Sequence, residues 1–366
     1  MNIGVITFSD FNTNYGSMLQ ALSMKIYLEN IGHNVTFIRY REYNKPISTQ
    51  RVDMAKSFVR RNLLLIYTWF HRADKDKTIA NFQAFRNTFF KYTRLYTSNE
   101  ELSQMEEKFD AIICGSDQIW NLECLGGLRT AYFMKFVSEK VSKIFYAASM
   151  GDYHFTNDDI KVIKPLLDRS TGISVREKEN VKEVQAITNN TVYNVVDPVF
   201  LTSSQQWESL ASKRIIDGDY GVCYFVRRSN FGRNIVDKIR KKYNMPILNL
   251  SDNLIYIKGT NADYISVDPI GFISLVKHAK FVVGTSFHLA AFSLLFKVPA
   301  IICGMESNRS RIMNIFQSVG LENHYVTPDS DLSILDCFME DEIKLEKMNN
   351  DIQKSKQYLI NFLLKS

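Results

Sequence analysis

What the chain lacks narrows the field first. Its five cysteines, Cys114, Cys124, Cys223, Cys303 and Cys337, stand singly with no Cys-x-x-Cys pair, so neither a disulfide framework nor a zinc site is signalled. No apolar run approaches the roughly 20 residues that span a bilayer, and the start Met1-Asn2-Ile3-Gly4-Val5-Ile6 carries no basic segment with a cleavage site. A cytoplasmic location is therefore expected. The glycine fingerprint of dinucleotide-binding folds and the P-loop pattern are both absent. So are zinc-finger spacing, RNP-type aromatics and a basic-region heptad. A net charge of +6 is modest for 366 residues, which argues against nucleic acid as a partner. Internal repeats and low-complexity segments are missing too.

What is present is enough apolar material for two ordinary domains: 366 residues with 45% hydrophobic content. The positive charge is concentrated, since residues 39–94 hold thirteen Lys or Arg against four Asp or Glu. This block encloses Leu63-Leu64-Leu65-Ile66-Tyr67-Thr68-Trp69-Phe70, flanked by Arg60, Arg61 and Arg72. Two readings stand side by side. The run can dip into a headgroup layer without crossing it, giving peripheral contact at the inner face of the cell membrane. Alternatively, it is a helical insertion whose apolar face covers the sheet while its cations are solvated.

Along the chain, apolar β-prone runs alternate with helix-period stretches. Residues 3–8, 35–38, 111–114, 142–148 and 172–175 read as strands, and 18–30 as the first helix. From about residue 195 the rhythm restarts, with a short strand ending at Asp197-Pro198, strands at 222–226, 246–250, 281–283 and 300–303 and helices at 205–211, 234–243, 272–279 and 311–319. That pattern predicts an α/β protein of two doubly wound Rossmann-like domains facing a cleft, similar to the bilobal B-type glycosyltransferases. The expected division is 1–175 for the first domain, with a basic helical insertion at 45–105, and 176–335 for the second. A C-terminal helix at 340–366 is expected to pack back on the first domain.

Polar loops follow several strands, which is where open parallel sheets place ligands. The most telling is Gly284-Thr285-Ser286-Phe287-His288, a tight turn from a buried strand into a helix with a histidine in its first turn. Such a helix start suits an anion; the plainer alternative is that His288 caps or packs. Asn14-Tyr15-Gly16-Ser17 follows the first strand, Gly115-Ser116-Asp117-Gln118-Ile119-Trp120-Asn121 another, and Arg176-Glu177 a third.

The ordered set Asn14-Tyr15-Gly16-Ser17-Met18-Leu19-Gln20-Ala21, Cys114-Gly115-Ser116-Asp117-Gln118-Ile119-Trp120-Asn121, Tyr146-Ala147-Ala148-Ser149-Met150-Gly151, Ile173-Ser174-Val175-Arg176-Glu177, Val196-Asp197-Pro198-Val199-Phe200-Leu201 and Thr285-Ser286-Phe287-His288 resembles the polysaccharide pyruvyl transferase family. The resemblance spans roughly residues 3–320. It implies transfer of the enolpyruvyl unit of phosphoenolpyruvate to two hydroxyls of one sugar, giving a cyclic pyruvate ketal and phosphate, on a free or lipid-linked cell-surface polysaccharide precursor. No cofactor or metal is implied beyond phosphoenolpyruvate as co-substrate.

Carried onto this sequence, that chemistry makes His288 the proton donor and Asp117 a base or sugar-hydroxyl contact, with turn capping as the alternative for Asp117. Arg176 matches the family's arginine and is expected to hold the donor's phosphate or carboxylate, unless it is only an ion pair with Glu177 or Glu179. Thr285, Ser286, Arg309 and Arg311 join it on the donor side, with Asn308 beside them; first-turn solvation is the alternative for the arginines. Asn14, Tyr15, Gln118 and Trp120 are placed on the acceptor side, although Trp120 also fits a core position. Two departures stand out. Active members often carry an arginine two residues before the histidine and a glycine just after it; here those positions are Ser286 and Leu289. Arg309, Arg311 or Lys297 is expected to replace the missing cation, or the donor differs. The alternatives in function are a glycosyltransferase of the same fold using a nucleotide sugar, and a non-catalytic subunit of polysaccharide biosynthesis.

Overall fold

Aliphatic runs without polar alternation, such as Ala111-Ile112-Ile113-Cys114 and Phe281-Val282-Val283-Gly284, need cover on both faces. In the computed structural model of the chain both are interior parallel strands, buried along their whole length. The structure describes residues 1–10, 13–41, 72–211, 213–226, 229–251, 265–304 and 309–364.

The first sheet contains β1 (Asn2–Ile6), β2 (Asn34–Tyr40), β3 (Tyr92–Tyr96), β4 (Ala111–Cys114), β5 (Ser142–Ala148), β6 (Gly172–Val175) and β7 (Val192–Asn194). Its seven strands lie in the order β3-β2-β1-β4-β5-β6-β7, and all their pairings are parallel. The second contains β8 (Gly221–Tyr224), β9 (Ile247–Asn249), β10 (Phe281–Gly284), β11 (Ala300–Cys303) and β12 (Tyr325–Val326). Its order is β12-β11-β10-β8-β9, again parallel throughout. In each sheet the strand order reverses once, between β1 and β4 and between β8 and β10. A doubly wound sheet opens a crevice at that reversal, outside the carboxyl ends of the two strands.

One core cluster runs through both lobes. Its bridge is the opening helix (Tyr15–Asn30), twelve of whose residues are buried, which explains why its sequence is apolar nearly all round. Tyr15 stacks on Phe272 of the second lobe with ring centroids 4.5 Å apart. At the other end of the chain, the C-terminal helix (Asn349–Leu363) returns to the first sheet. Tyr358 donates to the Phe145 carbonyl at 2.9 Å, and Ser355 accepts from the Val196 amide at 2.9 Å.

Two expectations about division are corrected. The first domain does not end at 175, because β7 pairs with β6 through Ile173–Val192 and carries the sheet to Asn194. The stretch at 45–105 is not wholly an insertion, because β3 pairs with β2 and forms the edge of the sheet. The apolar run at 63–70, with the membrane contact expected of it, lies outside the described residues. Among the described residues no helix is long and apolar enough to cross a membrane.

Candidate active site

The site is assembled where the two sheet reversals face each other. At the end of β4, Gly115 has φ +122°, and a Cβ there would come within 2.1 Å of the Tyr146 carbonyl oxygen, so only glycine turns this close to β5. The turn leaves Asp117 in the left-handed region with φ 75°, a conformation that non-glycine residues hold only where surrounding structure enforces it. The Asp117 side chain does cap its own turn, accepting the Gln118 amide at 2.8 Å, but its other oxygen accepts the Ser17 hydroxyl from the opening helix. Gln118 is half-buried, and its Oε1 accepts from Asn121 at 2.9 Å.

Two residues placed on the acceptor side belong elsewhere. Trp120 has no solvent exposure, stacks on Phe133 with the rings 1° from parallel, and donates its indole NH to the Tyr132 carbonyl at 3.1 Å. Its ring is core and cannot stack on a sugar. Tyr15 is also buried, its ring against Phe272 and its hydroxyl donating to the Val267 carbonyl at 3.3 Å; it fastens the lobes together. Asn14 accepts the Gly16 and Ser17 amides with its own Oδ1, so those helix-start donors are already occupied.

Behind Asp117 lies a buried polar network. Arg176, at the end of β6, donates from Nη1 to Asp197 at 2.7 Å, from Nη2 to Ser149 at 2.9 Å and from Nε to Glu177 at 3.3 Å. The Phe287 ring of the second lobe covers it at 4.7 Å. Every nitrogen of the guanidinium thus has a partner within the chain. Burial alone would lower the ionisation of Arg176, but Glu177, Asp197 and Asp117 outweigh it and raise it. Burial would likewise raise the Asp197 carboxyl, yet His288 and Arg176 hold it far below the usual carboxylate range.

Asp197, just beyond β7, is the hub that sequence reasoning left out of the site. Besides Arg176, it accepts the Val199 amide at 3.1 Å and the Ser116 hydroxyl at 3.3 Å, and its Oδ2 lies 3.6 Å from His288 Nε2. Gly16 was also passed over. A Cβ there would fall 2.0 Å from His288 Nδ1, so the imidazole occupies the space that a side chain would need. Both residues stood inside motifs that carry the resemblance, and that was the available signal.

From the second lobe, Thr285 accepts the Val226 amide at 3.1 Å, closing the β8–β10 crevice, and Ser286 caps the following helix (Phe287–Leu295) by accepting the Leu289 amide. His288 is buried, and its Nε2 has no hydrogen-bond partner among the described residues. Of the cations expected to replace the missing arginine, Lys297 is excluded, since it is exposed beyond the far end of the His288 helix. Asn308 lies outside the described residues. Arg309 is exposed at the start of the helix Arg309–Val319. Arg311 differs: its Nε is buried with no hydrogen-bond partner among the described residues. Burial, then the charge of Arg176, lowers its ionisation against the pull of Glu177, Asp117 and Asp152. The same helix reaches the first lobe through Ser310 to Asp152 at 3.4 Å and Asn314 to Glu179 at 2.9 Å.

The fold is shared with sugar-nucleotide enzymes. UDP-GlcNAc 2-epimerase of Methanocaldococcus jannaschii, in complex with UDP-GlcNAc and UDP, superposes with a TM-score of 0.55 at 12% identity, covering 100% of both chains. The Neisseria meningitidis epimerase bound to UDP-GlcNAc gives 0.52 at 11% over 100% of both chains. The Rickettsia bellii enzyme gives 0.52 at 10%, over 100% of this chain and 96% of its own. At such identities the likeness is one of fold: two Rossmann-like domains facing a cleft. No curated protein matches the chain in sequence. The profile of the polysaccharide pyruvyl transferase family matches residues 14–307, a span containing every element of the site up to the Arg311 helix, and the chain belongs to that family of transferases.

Proposed function

We propose that this transferase moves the enolpyruvyl unit of phosphoenolpyruvate onto two hydroxyls of one sugar in a cell-surface polysaccharide precursor. The product is a cyclic pyruvate ketal, and phosphate is released. The observation that supports this most is Arg311, a half-buried cation whose buried Nε has no hydrogen-bond partner among the described residues, set amid the charges of Arg176, Glu177, Asp117 and Asp152. A charged donor left unpartnered costs folding free energy, and an incoming phosphate or carboxylate removes that cost. Arg311 then supplies from the next helix the cation that Ser286 does not, while Arg309 at the surface draws the anionic donor in.

In this reading His288 protonates the methylene carbon, making C2 oxocarbenium-like. One sugar hydroxyl adds to C2 and gives up its proton, which restores the acid. The C2–O bond to phosphate then breaks, the second hydroxyl closes the ketal, and its proton leaves with phosphate. Asp117, held by Ser17 and its own turn, takes the proton of the second hydroxyl as the ketal closes and hands it to the departing phosphate, and Gln118 orients the acceptor. Arg176 stays within the chain and braces Asp197.

The test is incubation with phosphoenolpyruvate and galactosyl, glucosyl and mannosaminyl acceptors. Phosphate release with an acceptor mass gain of one pyruvate ketal is expected, and His288→Ala should lose at least about 10²-fold in rate. Likeness to epimerases that bind UDP-GlcNAc makes a nucleotide-sugar donor the rival. Thermal stabilisation by UDP-GlcNAc but none by phosphoenolpyruvate, with no phosphate released, would select the rival.

A further inference from the structure

Asp197 and His288 come from different lobes and meet across the cleft. The carboxylate has no solvent-exposed surface, and its Oδ1 is taken by the Val199 amide at 3.1 Å. Its Oδ2 is held by Arg176 at 2.7 Å and Ser116 at 3.3 Å, and lies 3.6 Å from His288 Nε2. That nitrogen is buried and has no hydrogen-bond partner among the described residues. An approach of a few tenths of an ångström turns the contact into a charge-assisted hydrogen bond. On its other side the ring lies over Gly16, where no side chain intervenes between Nδ1 and the opening helix.

We propose that Asp197 is the positioning residue of His288. It engages Nε2 and fixes the ring across the lobes, so that Nδ1 is the nitrogen that passes the proton. This rests on the reading of His288 as the acid. Among the described residues, the charged groups that face the imidazole are Asp197 and, behind it, Arg176, with Asp117 one step further through Ser17. The opening helix presents Gly16 there, and the histidine's own helix is otherwise Ser293 and apolar residues. Removing the Asp197 charge therefore removes the nearest counter-charge to the ring.

The experiment is Asp197→Asn, assayed with phosphoenolpyruvate and the sugar acceptor that turns over. Expected is a fall in kcat of about tenfold or more, as for the loss of one hydrogen bond to a charged group, with KM for phosphoenolpyruvate unchanged. In a His288→Ala background the same substitution should cost nothing more. An unchanged kcat, a loss carried by KM alone, or an equal loss in both backgrounds overturns the proposal, the last by showing a structural role through Arg176.

Should Asp197→Asn fail to fold, histidine ¹⁵N NMR of the wild-type chain decides. A proton on His288 Nε2 at neutral pH is expected, and a proton on Nδ1 alone overturns the assignment. His288→Ala at the wild-type rate would sink the acid itself. An inactive His288→Ala beside a fully active Asp197→Asn would sink only the inference drawn here.

Discussion

The two lobes bring opposite things to the cleft. The first supplies a network whose members are bonded to one another: Arg176 to Asp197, Glu177 and Ser149, and Asp197 onward to Ser116 and Val199. The second supplies His288 and Arg311, each with a buried nitrogen that has no hydrogen-bond partner among the described residues. An unpartnered buried polar group costs about 1–3 kcal/mol, more if charged. At the cleft, support and reception are thus separated: the first lobe's side of the site is the bonded network of Arg176 and Asp197, and the second lobe's side keeps two buried nitrogens unpartnered among the described residues.

Two substitutions of the same kind should split along this line. Arg176→Ala leaves Asp197 and Glu177 buried without their cation, and a loss of about 3–5 kcal/mol in chemical denaturation is expected; a loss below about 1 kcal/mol would break the contrast. The same network can be probed without mutation. Because Asp197 is held below its ordinary value of about 3.9, its stabilisation is complete above that pH and is lost as pH falls towards the folded-state value. Stability measured downward from pH 5 should therefore fall in the wild type and flatten in Asp197→Asn.

Arg311→Ala should do the reverse of Arg176→Ala. Stability holds or rises as an unpaired cation leaves, while kcat/KM for phosphoenolpyruvate drops about 10–100-fold, since a hydrogen bond to a charged group is worth about 1.5–3 kcal/mol. A melting temperature lowered as far as that of Arg176→Ala would erase the distinction between the lobes. The smallest effect belongs to Trp120→Phe, which forfeits one buried hydrogen bond, about 1 kcal/mol, and leaves acceptor KM unchanged. A clear rise in that KM would return Trp120 to the sugar site.

Much of the fold was legible because buried parallel strands read as unbroken apolar runs, as at 111–114, 281–283 and 300–303. β7 read only as a short strand ending at Asp197-Pro198 that opens the second domain, because only Val192 of its three residues is buried and no apolar run ties it to the first sheet. β3 was hidden inside the basic block, where Tyr92-Thr93-Arg94-Leu95-Tyr96 looks like part of a charged insertion. Within the site, His288 and Asp117 stood out because each follows a glycine-bearing turn at a strand end. Trp120 stood in an equally suggestive loop, yet sequence does not say whether an aromatic at a turn points inward or outward.

The sequence by itself determined the alternation of strands and helices, the strand-end turns and the motifs that mark the family, since these depend on residues close together in the chain. Only the tertiary structure decided which arginine is spent and which is open. Arg176 is satisfied by Asp197, 21 residues away, and Asp197 also meets a histidine from the opposite lobe. Whether a charged side chain is partnered depends on what folding brings within about 3 Å of it. That is a property of the packed lobes, which no local pattern of residues records.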